Sequence, residues 1–387
     1  MIPYGRQSID QRDIDAVVGV LSGDWLTQGP AVDRFEQAVA RYVGARKAVA
    51  VSSGTAALHL ACLAVGLEPG DLLWTSPITF VASANCGRYC GAEVDFVDID
   101  PRTYNMSPAA LEAKLEAAEQ GGRLPKVVVP VHMAGQPCDM PRIALLAERY
   151  GFTVIEDASH AIGATIGNSR TGDCAFSAMT VFSFHPVKIV TTGEGGMVMT
   201  NDQALAEKVR RLRTHGITRD PDAMQGEPDG AWYYEQLELG FNYRITDIQA
   251  ALGTSQMSRI DEFLMRRRAI ASRYDSDLAD LSLTLPWQDP QSMSAWHLYV
   301  IRVKPEARQS RREVYDALHA AGIAANVHYI PVHLQPDYRH LGFAPGDFPA
   351  AEAYYADAIS LPMFPLLTDE EQSTVLAALR ELLGTNR

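Results

Sequence analysis

Short apolar runs alternate with amphipathic stretches between residue 46 and about residue 200. In the clearest unit, a β-prone run at 47–51 leads through a small-residue turn at 52–55 into an almost wholly apolar stretch at 56–65. Such alternation is typical of strands joined by crossover helices in a parallel-rich sheet, and an apolar helix has to be buried. The region therefore predicts an α/β domain.

The same pattern predicts the elements that follow in this region. Ser107 and Pro108 suit the N-cap and first position of a helix that ends near Ala118, and another helix is expected from Phe80. Further strands are expected at 72–75, 93–97, 126–132, 152–156, 178–184 and 196–200.

After Thr246, which suits a helix cap, a helical pattern runs with few breaks to about Leu278. A mixed α+β tail follows. Its strands are expected at 297–303 and 324–329, and its helices at 311–321 and 369–383. We therefore predict a large domain at 1–265, which includes the N-terminal segment, and a smaller α+β domain at 266–387.

The charge balance argues against a nucleic-acid partner. The 387 residues include 34 Lys and Arg and 47 Asp and Glu, for a formal net charge of -13, which repels polyanions. The densest basic cluster, Arg266 to Arg268, is interpreted as the solvated face of a long helix. We find no signal peptide and no apolar run of about 18 residues, so a cytoplasmic protein without a membrane partner is expected.

No metal site is expected. The five cysteines are scattered and lack a CxxC pair, which indicates buried free thiols and neither a disulfide framework nor a zinc site. Cys86 and Cys90 lie one helical turn apart, but without nearby histidine spacing. His328 and His333 lack a carboxylate in register, and a substrate contact or a solvent-facing position suits them better.

The turn Ser53-Gly54-Thr55 joins a predicted strand to a predicted helix. Backbone N–H groups at such a turn lie at the positive end of the helix dipole, as in a phosphate cradle. Neither GxxxxGK[ST] nor GxGxxG occurs in the chain. A simple helix cap is the alternative interpretation.

Asp157 and Lys188 are the other two candidates for chemistry. Asp157 follows the apolar run 152–156, so it is expected at the carboxyl edge of the sheet, where it either pairs with a protonated ring nitrogen or caps the segment 158–161. Lys188 has apolar or small neighbours, and partial desolvation can make its amine nucleophilic toward an aldehyde. The alternative for Lys188 is an exposed lysine without a role. His185, in the same loop, either positions the loop or is purely structural.

Together, the phosphate turn, the strand-end aspartate and the loop lysine meet the requirements of a pyridoxal phosphate site. At these motifs the chain resembles the DegT/DnrJ/EryC1/StrS aminotransferases, of the fold-type I pyridoxal-phosphate enzymes, over essentially its whole length. The matching stretches are WLTQGP at 25–30, SSGTAALHLA at 52–61, PITFVASAN at 77–85, EDASHAIGA at 156–164, SFHPVKIVTTGEGG at 183–196 and GFNYRITDIQAALG at 240–253.

The resemblance implies a role for each matching residue. Lys188 would hold the cofactor as a Schiff base, Asp157 would contact the pyridine nitrogen, and Phe80 would stack on the ring. His160 stands where many members carry glutamine and would contact the ring hydroxyl. The phosphate would be held by Gly54, Thr55, Ser183 and, from the partner subunit of a homodimer, Asn242. The positions that align with nucleotide-sugar contacts are Tyr4, Thr27, Ser53, His328, Tyr329 and Tyr338.

The motif forms ITFVASAN and SFHPVK resemble the family's UDP-4-amino-4,6-dideoxy-N-acetyl-β-L-altrosamine transaminases of pseudaminic acid synthesis. This implies amino transfer from glutamate to carbon 4 of a UDP-linked keto sugar. Three alternatives stay open: another UDP- or dTDP-linked keto sugar, a 3-dehydratase of the same fold, which would carry histidine in place of Lys188, and a non-catalytic cofactor-binding regulator.

Overall fold

The structure, a computed structural model, describes residues 1–384. Its helices are α1 (Gln11–Leu21), α2 (Pro30–Val43), α3 (Gly54–Ala64), α4 (Ala82–Tyr89), α5 (Pro108–Gln120), α6 (Met140–Tyr150), α7 (Gln203–Leu212), α8 (Asp247–Met257), α9 (Ile260–Asp277), α10 (Arg311–Ala320), α11 (Pro336–Arg339), α12 (Pro349–Asp357) and α13 (Asp369–Leu383). Its strands are β1 (Ile2–Pro3), β2 (Lys47–Val51), β3 (Leu72–Thr75), β4 (Glu93–Phe96), β5 (Val127–Val129), β6 (Thr153–Asp157), β7 (Thr165–Ile166), β8 (Ser169–Arg170), β9 (Met179–Ser183), β10 (Gly196–Thr200), β11 (Ile217–Thr218), β12 (Glu235–Gln236), β13 (Leu283–Thr284), β14 (Ser292–Met293), β15 (Tyr299–Val303), β16 (Ile323–Ala324) and β17 (Ala358–Leu361).

The central sheet of the described chain has seven strands in the order β2-β10-β9-β6-β5-β3-β4. Strand β10 runs antiparallel to its neighbours β2 and β9, and the other neighbouring pairs are parallel. Its inner strands are buried on both faces, as expected where helices cover a sheet on two sides. The predicted α/β class with a parallel-rich mixed sheet is confirmed.

The helix starts follow the polar residues that precede them. Ser107 caps α5 with Pro108 at its first position, as predicted. Thr246 opens α8 in a reciprocal capping box with Gln249. In α3 the residues from Ala56 to Cys62 are all buried, which agrees with its apolar composition.

The long helical pattern after Thr246 is interrupted, contrary to its continuous appearance. Helix α8 ends at Met257 and α9 begins at Ile260. At the junction Arg259 is buried and its guanidinium forms an ion pair with Asp13 of α1. The predicted boundary at residue 265 falls within α9. The division into 1–265 and 266–387 stays a prediction. Residues 385–387 of the second domain lie outside the described part of the chain.

The C-terminal third forms a hydrophobic core of its own and also packs on the core around α3. Strands β13, β15 and β17 form an antiparallel sheet whose core runs from Ile270 to Leu383. Val332 and Tyr354 instead join the core that surrounds α3. The N-terminal strand β1 pairs in parallel with β16, so both ends of the chain contribute to the C-terminal region.

Two local interpretations of the C-terminal region are wrong. Arg267 is not solvated: its side chain is 1% exposed, and Nη1 donates to the carbonyls of Trp296, His297 and Met363 at 3.0–3.1 Å. The strand expected at 324–329 is reduced to β16, because its partner β1 has only two residues. Beyond β16, Asn326 forms an isolated bridge with Ser360 of β17, and the Val332 N–H then donates to the Pro77 carbonyl at 2.8 Å.

All five cysteines are buried free thiols, as predicted. Across residues 1–384, every helix is too short or too polar to cross a bilayer.

Candidate active site

One edge of the central sheet gathers the three predicted features. Strands β6 and β9 are parallel and end at Asp157 and Ser183. Because β10 is antiparallel, its first residue, Gly196, pairs with both Ser183 and Val51, the last residue of β2. The turn before α3, the Asp157 carboxylate and the loop that carries Lys188 therefore lie at one edge, where open α/β sheets bind ligands.

The turn at 53–55 is both a helix cap and a close-packed cradle. The Ser53 hydroxyl accepts a hydrogen bond from the Ala56 N–H at 3.1 Å, and the first turn of α3 presents its positive end here. A Cβ on Gly54 would lie 2.8 Å from the Ser183 Cβ, and one on Gly196 would lie 2.3 Å from the Ser53 carbonyl oxygen. Glycine at both positions lets the two strands approach the turn.

Asp157 is buried and held in one orientation. Its side chain is 5% exposed. Oδ2 accepts from the Ser83 hydroxyl at 2.6 Å, and Oδ1 accepts from the Ser159 N–H at 3.0 Å. The second bond is the capping role considered above, and the first shows that a further side chain orients the carboxylate. A carboxylate fixed in this way can hold a protonated ring nitrogen.

Lys188 is half-buried in the loop between β9 and β10, where its backbone N–H donates to the His185 carbonyl at 2.9 Å. Burial lowers the pKa of its amine from the ordinary 10.5 to about 8, although the nearby negative charge of Asp157 opposes this change. A larger fraction of the amine is therefore neutral, and so nucleophilic, near physiological pH than for an exposed lysine.

Two aromatic groups and a histidine line the same site. The His160 Nε2 and the Tyr329 hydroxyl lie 3.2 Å apart. The Tyr329 ring also lies 6.3 Å from that of Phe80, which is 58% exposed and so remains accessible to a ligand. Burial lowers the pKa of His160 well below its ordinary value, with the Lys188 charge adding to the effect. His160 is therefore neutral here.

His328 and Tyr4 lie beside this group. Their rings are 5.2 Å apart, and the His328 Nδ1 lies 2.8 Å from the Ser360 hydroxyl. Burial lowers the His328 pKa to about 3, again with a contribution from Lys188. The Met363 N–H donates to the Tyr4 carbonyl, which fixes the N-terminal segment over the C-terminal region.

The other predicted residues are not gathered by direct contacts with this group. Tyr338 is 2% exposed, its hydroxyl donates to Asn85 Oδ1 at 2.7 Å, and its ring lies under the Arg88 guanidinium, so it belongs to the contact between α4 and α11. Thr27 and Asn242 are exposed and form isolated bridges with Thr246 and Thr214. Within a single chain this backbone pairing helps to position both residues.

Three contributors were missed from the sequence. Ser83 could have been found from its spacing, because Thr79 and Ser83 stand four residues apart, as on one face of a helical turn, and their hydroxyls lie 2.7 Å apart. Gly196 was assigned only to a strand, and its closeness to the turn depends on strand order. His297, whose ring lies 4.3 Å from that of His160, is part of an apolar stretch that gave no signal.

Metal binding finds no support in residues 1–384, where no group of three or more His, Cys, Asp or Glu side chains is arranged to hold an ion. His333 is buried and pairs with Glu352, with 3.0 Å between Nε2 and Oε1. His333 is therefore buried in packing outside the site, and the solvent-facing position considered for it is wrong.

Comparison with known proteins agrees with this geometry. The model of the DegT/DnrJ/EryC1/StrS aminotransferase family matches residues 7–380. The spore coat polysaccharide biosynthesis protein SpsC of Bacillus subtilis is 40% identical over 386 residues, 99% of this chain and 97% of its own. GDP-perosamine synthase of Caulobacter vibrioides is 38% identical over 388 residues, 99% and 98% of the two chains. The structure of Helicobacter pylori PseC, an aminotransferase involved in pseudaminic acid biosynthesis, superimposes with a TM-score of 0.89 at 30% identity and covers 98% of each chain.

The fold and the site define a pyridoxal-phosphate-dependent sugar aminotransferase. The chain belongs to the DegT/DnrJ/EryC1/StrS aminotransferase family. The residues present fit the cofactor, since a glycine-lined cradle for a phosphate, a buried oriented carboxylate and a lysine of lowered pKa share one sheet edge.

Proposed function

We propose that this protein transfers the amino group of glutamate to carbon 4 of a UDP-4-keto-6-deoxy-N-acetyl-hexosamine of the altro series, giving the 4-amino sugar for pseudaminic acid synthesis. The motif forms at 78–85 and 183–188 support this substrate, as does the similarity to PseC over 98% of the chain. The observation that carries amino transfer is the Lys188 amine, with its pKa near 8, at the edge that also holds Asp157 and the phosphate turn.

Bound pyridoxal phosphate would supply an electron sink for the carbanion that forms at the α-carbon of the donor. Asp157, fixed by Ser83, would keep the pyridine nitrogen protonated. Gly54, Thr55 and Ser183 would bind the phosphate and Phe80 would orient the ring. The Lys188 Nζ, once free, would take the α-proton of glutamate as a general base and return a proton as a general acid.

The same residues would act in reverse on the sugar. In that half of the reaction Lys188 Nζ would deliver and remove protons so that carbon 4 gains the amine. Tyr4, His328 and Tyr329 would contact the nucleotide sugar from the C-terminal side, Ser53 from the turn before α3, and Thr27 from the loop before α2. Tyr338 would act indirectly, through the contact between α4 and α11.

We further propose a cytoplasmic homodimer in which Asn242 binds the phosphate in the partner's site. Its exposure, next to the half-buried Tyr243, suits a residue that acts across an interface.

A different nucleotide or sugar is the second candidate. GDP-perosamine synthase and SpsC are more similar in sequence to this chain than PseC is. The hydrogen-bonding pattern of the base and the configuration of the sugar depend on pocket details that the shared motifs do not determine.

The discriminating experiment is incubation of the purified protein with glutamate and with UDP-4-keto-6-deoxy sugars of the altro and gluco series, and with dTDP- and GDP-linked keto sugars. The amine is identified by mass and NMR. We expect strong preference for the altro UDP sugar. A preference for another nucleotide would overturn the pseudaminic assignment alone, release of a deoxy sugar would indicate a dehydratase, and cofactor binding without turnover would indicate a regulator.

Lys188→Ala tests the chemistry itself. We expect complete loss of turnover and of the visible absorbance of lysine-bound cofactor in donor-free protein, whereas Lys208→Ala on α7 should keep both. Borohydride reduction of the wild type followed by peptide mapping should label Lys188. Full activity of the Lys188 variant, or label on another lysine, would contradict the proposal.

A further inference from the structure

A second histidine supports the site from behind the first. The His297 and His160 rings are buried, with centroids 4.3 Å apart and planes tilted by 41°. On the other side of His160, the Tyr329 hydroxyl lies 3.2 Å from Nε2. His160 is thus held between a ring and a hydroxyl. In the described part of the chain, neither His160 Nδ1 nor His297 Nδ1 has a hydrogen-bond partner.

The backbone of His297 is anchored at several points. Arg267, buried in α9, donates to the carbonyls of Trp296 and His297, each at 3.1 Å. The flanking Ala295 N–H donates to the Gly135 carbonyl at 2.9 Å. A Cβ at position 135 would lie 2.9 Å from the His297 nitrogen and 3.0 Å from the His160 carbonyl oxygen. The two histidines are therefore held together through a glycine that leaves no free space between their backbones.

We infer that His297 is a positioning residue that acts through His160: its ring prevents His160 from flipping about χ2, so that Nε2 keeps its place beside the Tyr329 hydroxyl and the cofactor site. A flip would put the Cε1 carbon where Nε2 now lies beside the Tyr329 hydroxyl, and which nitrogen carries the proton follows from the bonds that the two nitrogens make. The inference rests on the proposed function only in that His160 faces the cofactor's ring hydroxyl.

The surrounding charges favour neutral rings. Burial lowers the pKa of His297 well below its ordinary value, and His160, Lys188, Arg267 and His328 act in the same direction. Burial also lowers the pKa of His160, and the charges of Lys188 and His328 add to this effect. With both rings neutral, ring orientation decides where the single proton of His160 points.

The first test needs no cofactor. Protein with ¹⁵N-labelled histidine is prepared as wild type, His297→Asn, which removes the ring at similar volume, His297→Phe, which keeps a ring, and His333→Asn, which removes another buried histidine. We expect one neutral tautomer of His160 in the wild type, the Phe variant and the His333 variant, and a mixture of tautomers in His297→Asn. The same single tautomer in His297→Asn would overturn the inference.

The second test uses pyridoxal phosphate bound to Lys188 without substrate. We expect the pH midpoint of the visible absorbance of the bound cofactor to move by about one unit in His297→Asn and to stay within experimental error in His297→Phe and His333→Asn.

If His297→Asn fails to fold, the His297→Phe variant decides, since a wild-type midpoint supports the ring contact and a shifted midpoint contradicts it. Failure of the wild type to form a borohydride-stable Lys188 adduct would instead refute the proposed function and leave the tautomer test intact.

Discussion

Lys188 illustrates how a single residue obtains its reactivity from its surroundings. Its sequence neighbours are apolar or small, but the drop in its pKa arises from burial at the sheet edge, which the Asp157 charge only partly offsets. Opposing effects of this kind set the neutral fraction of a buried amine. At pH 7 a pKa near 8 leaves about one amine in ten neutral, against less than about one in a thousand for an ordinary lysine.

The first prediction follows from this pKa. Only the neutral amine attacks an aldehyde, so the rate of pyridoxal phosphate capture by cofactor-free protein should rise with pH and level off above a midpoint of about 8. Stopped-flow absorbance at several pH values measures it. A rate that keeps rising beyond pH 10 would mean that Lys188 titrates as an exposed lysine.

Gly54 gives a second prediction at the same scale. In Gly54→Ala the new methyl group would lie 2.8 Å from the Ser183 Cβ, so the turn that forms the proposed phosphate cradle must move away from Ser183. We expect cofactor affinity to fall at least about tenfold, equivalent to about 1.4 kcal/mol, by fluorescence titration. Gly19→Ala on α1 is the control, since a methyl group there meets no atom within 4 Å in the described residues. Equal affinities of the two variants would contradict the role of the close approach.

At the scale of elements, α8 holds the loop that carries Thr27. The Asp247 carboxylate, at the start of α8, accepts from the N–H groups of Gly29 at 2.8 Å and Ala31 at 3.0 Å, and so also caps α2. The Asp247 N–H donates to the Leu26 carbonyl at 3.0 Å. One acidic residue thus connects two helices and fixes the backbone on both sides of Thr27.

The third prediction concerns this connection. Asp247→Ala leaves two N–H groups without their acceptor, and we expect a loss of stability of about 1–3 kcal/mol together with a raised KM for the nucleotide sugar. Asp202→Ala removes the cap of α7 and should lower stability without changing KM. Chemical denaturation and initial-rate kinetics separate the two effects. An unchanged KM in Asp247→Ala would show that the loop does not need this carboxylate.

Element by element, the sequence was most informative where local rules decide the outcome. The caps Ser107 and Thr246 and the strand ending at Asp157 follow from nearby residues. The break at Arg259 and the burial of Arg267 depend on partners far along the chain, Asp13 in one case and the carbonyl of Met363 in the other. The same limit applies to His297, since its contact with His160 joins residues more than 130 positions apart.

For the whole molecule, the N-terminal segment connects distant regions. The Ile2 N–H donates to the Gly322 carbonyl at 2.7 Å, and the Met363 N–H donates to the Tyr4 carbonyl at 2.9 Å. One residue further, Gly5 lies against Val187, next to Lys188. This short segment therefore links the C-terminal sheet region to the loop that carries Lys188.

The fourth prediction removes this link. Deletion of residues 1–4 should lower the free energy of unfolding by about 2 kcal/mol, from lost backbone hydrogen bonds, and should raise KM for the sugar. Tyr4→Phe keeps the backbone pairing and should retain stability, because only its hydroxyl is lost. Differential scanning calorimetry and kinetics measure both quantities. A truncated protein with wild-type stability and KM would show that the segment is dispensable.

The reversed direction of β10 has a consequence for how the site tolerates change. Each end of the twelve-residue connection that carries Lys188 is anchored on the same rim, through Ser183 at one side and Gly196 at the other. A parallel return would have needed a crossover and would have left one end at the far rim. Lengthening or shortening this stretch would therefore displace the amine directly, whereas insertions in the connections at the opposite rim would leave its position undisturbed.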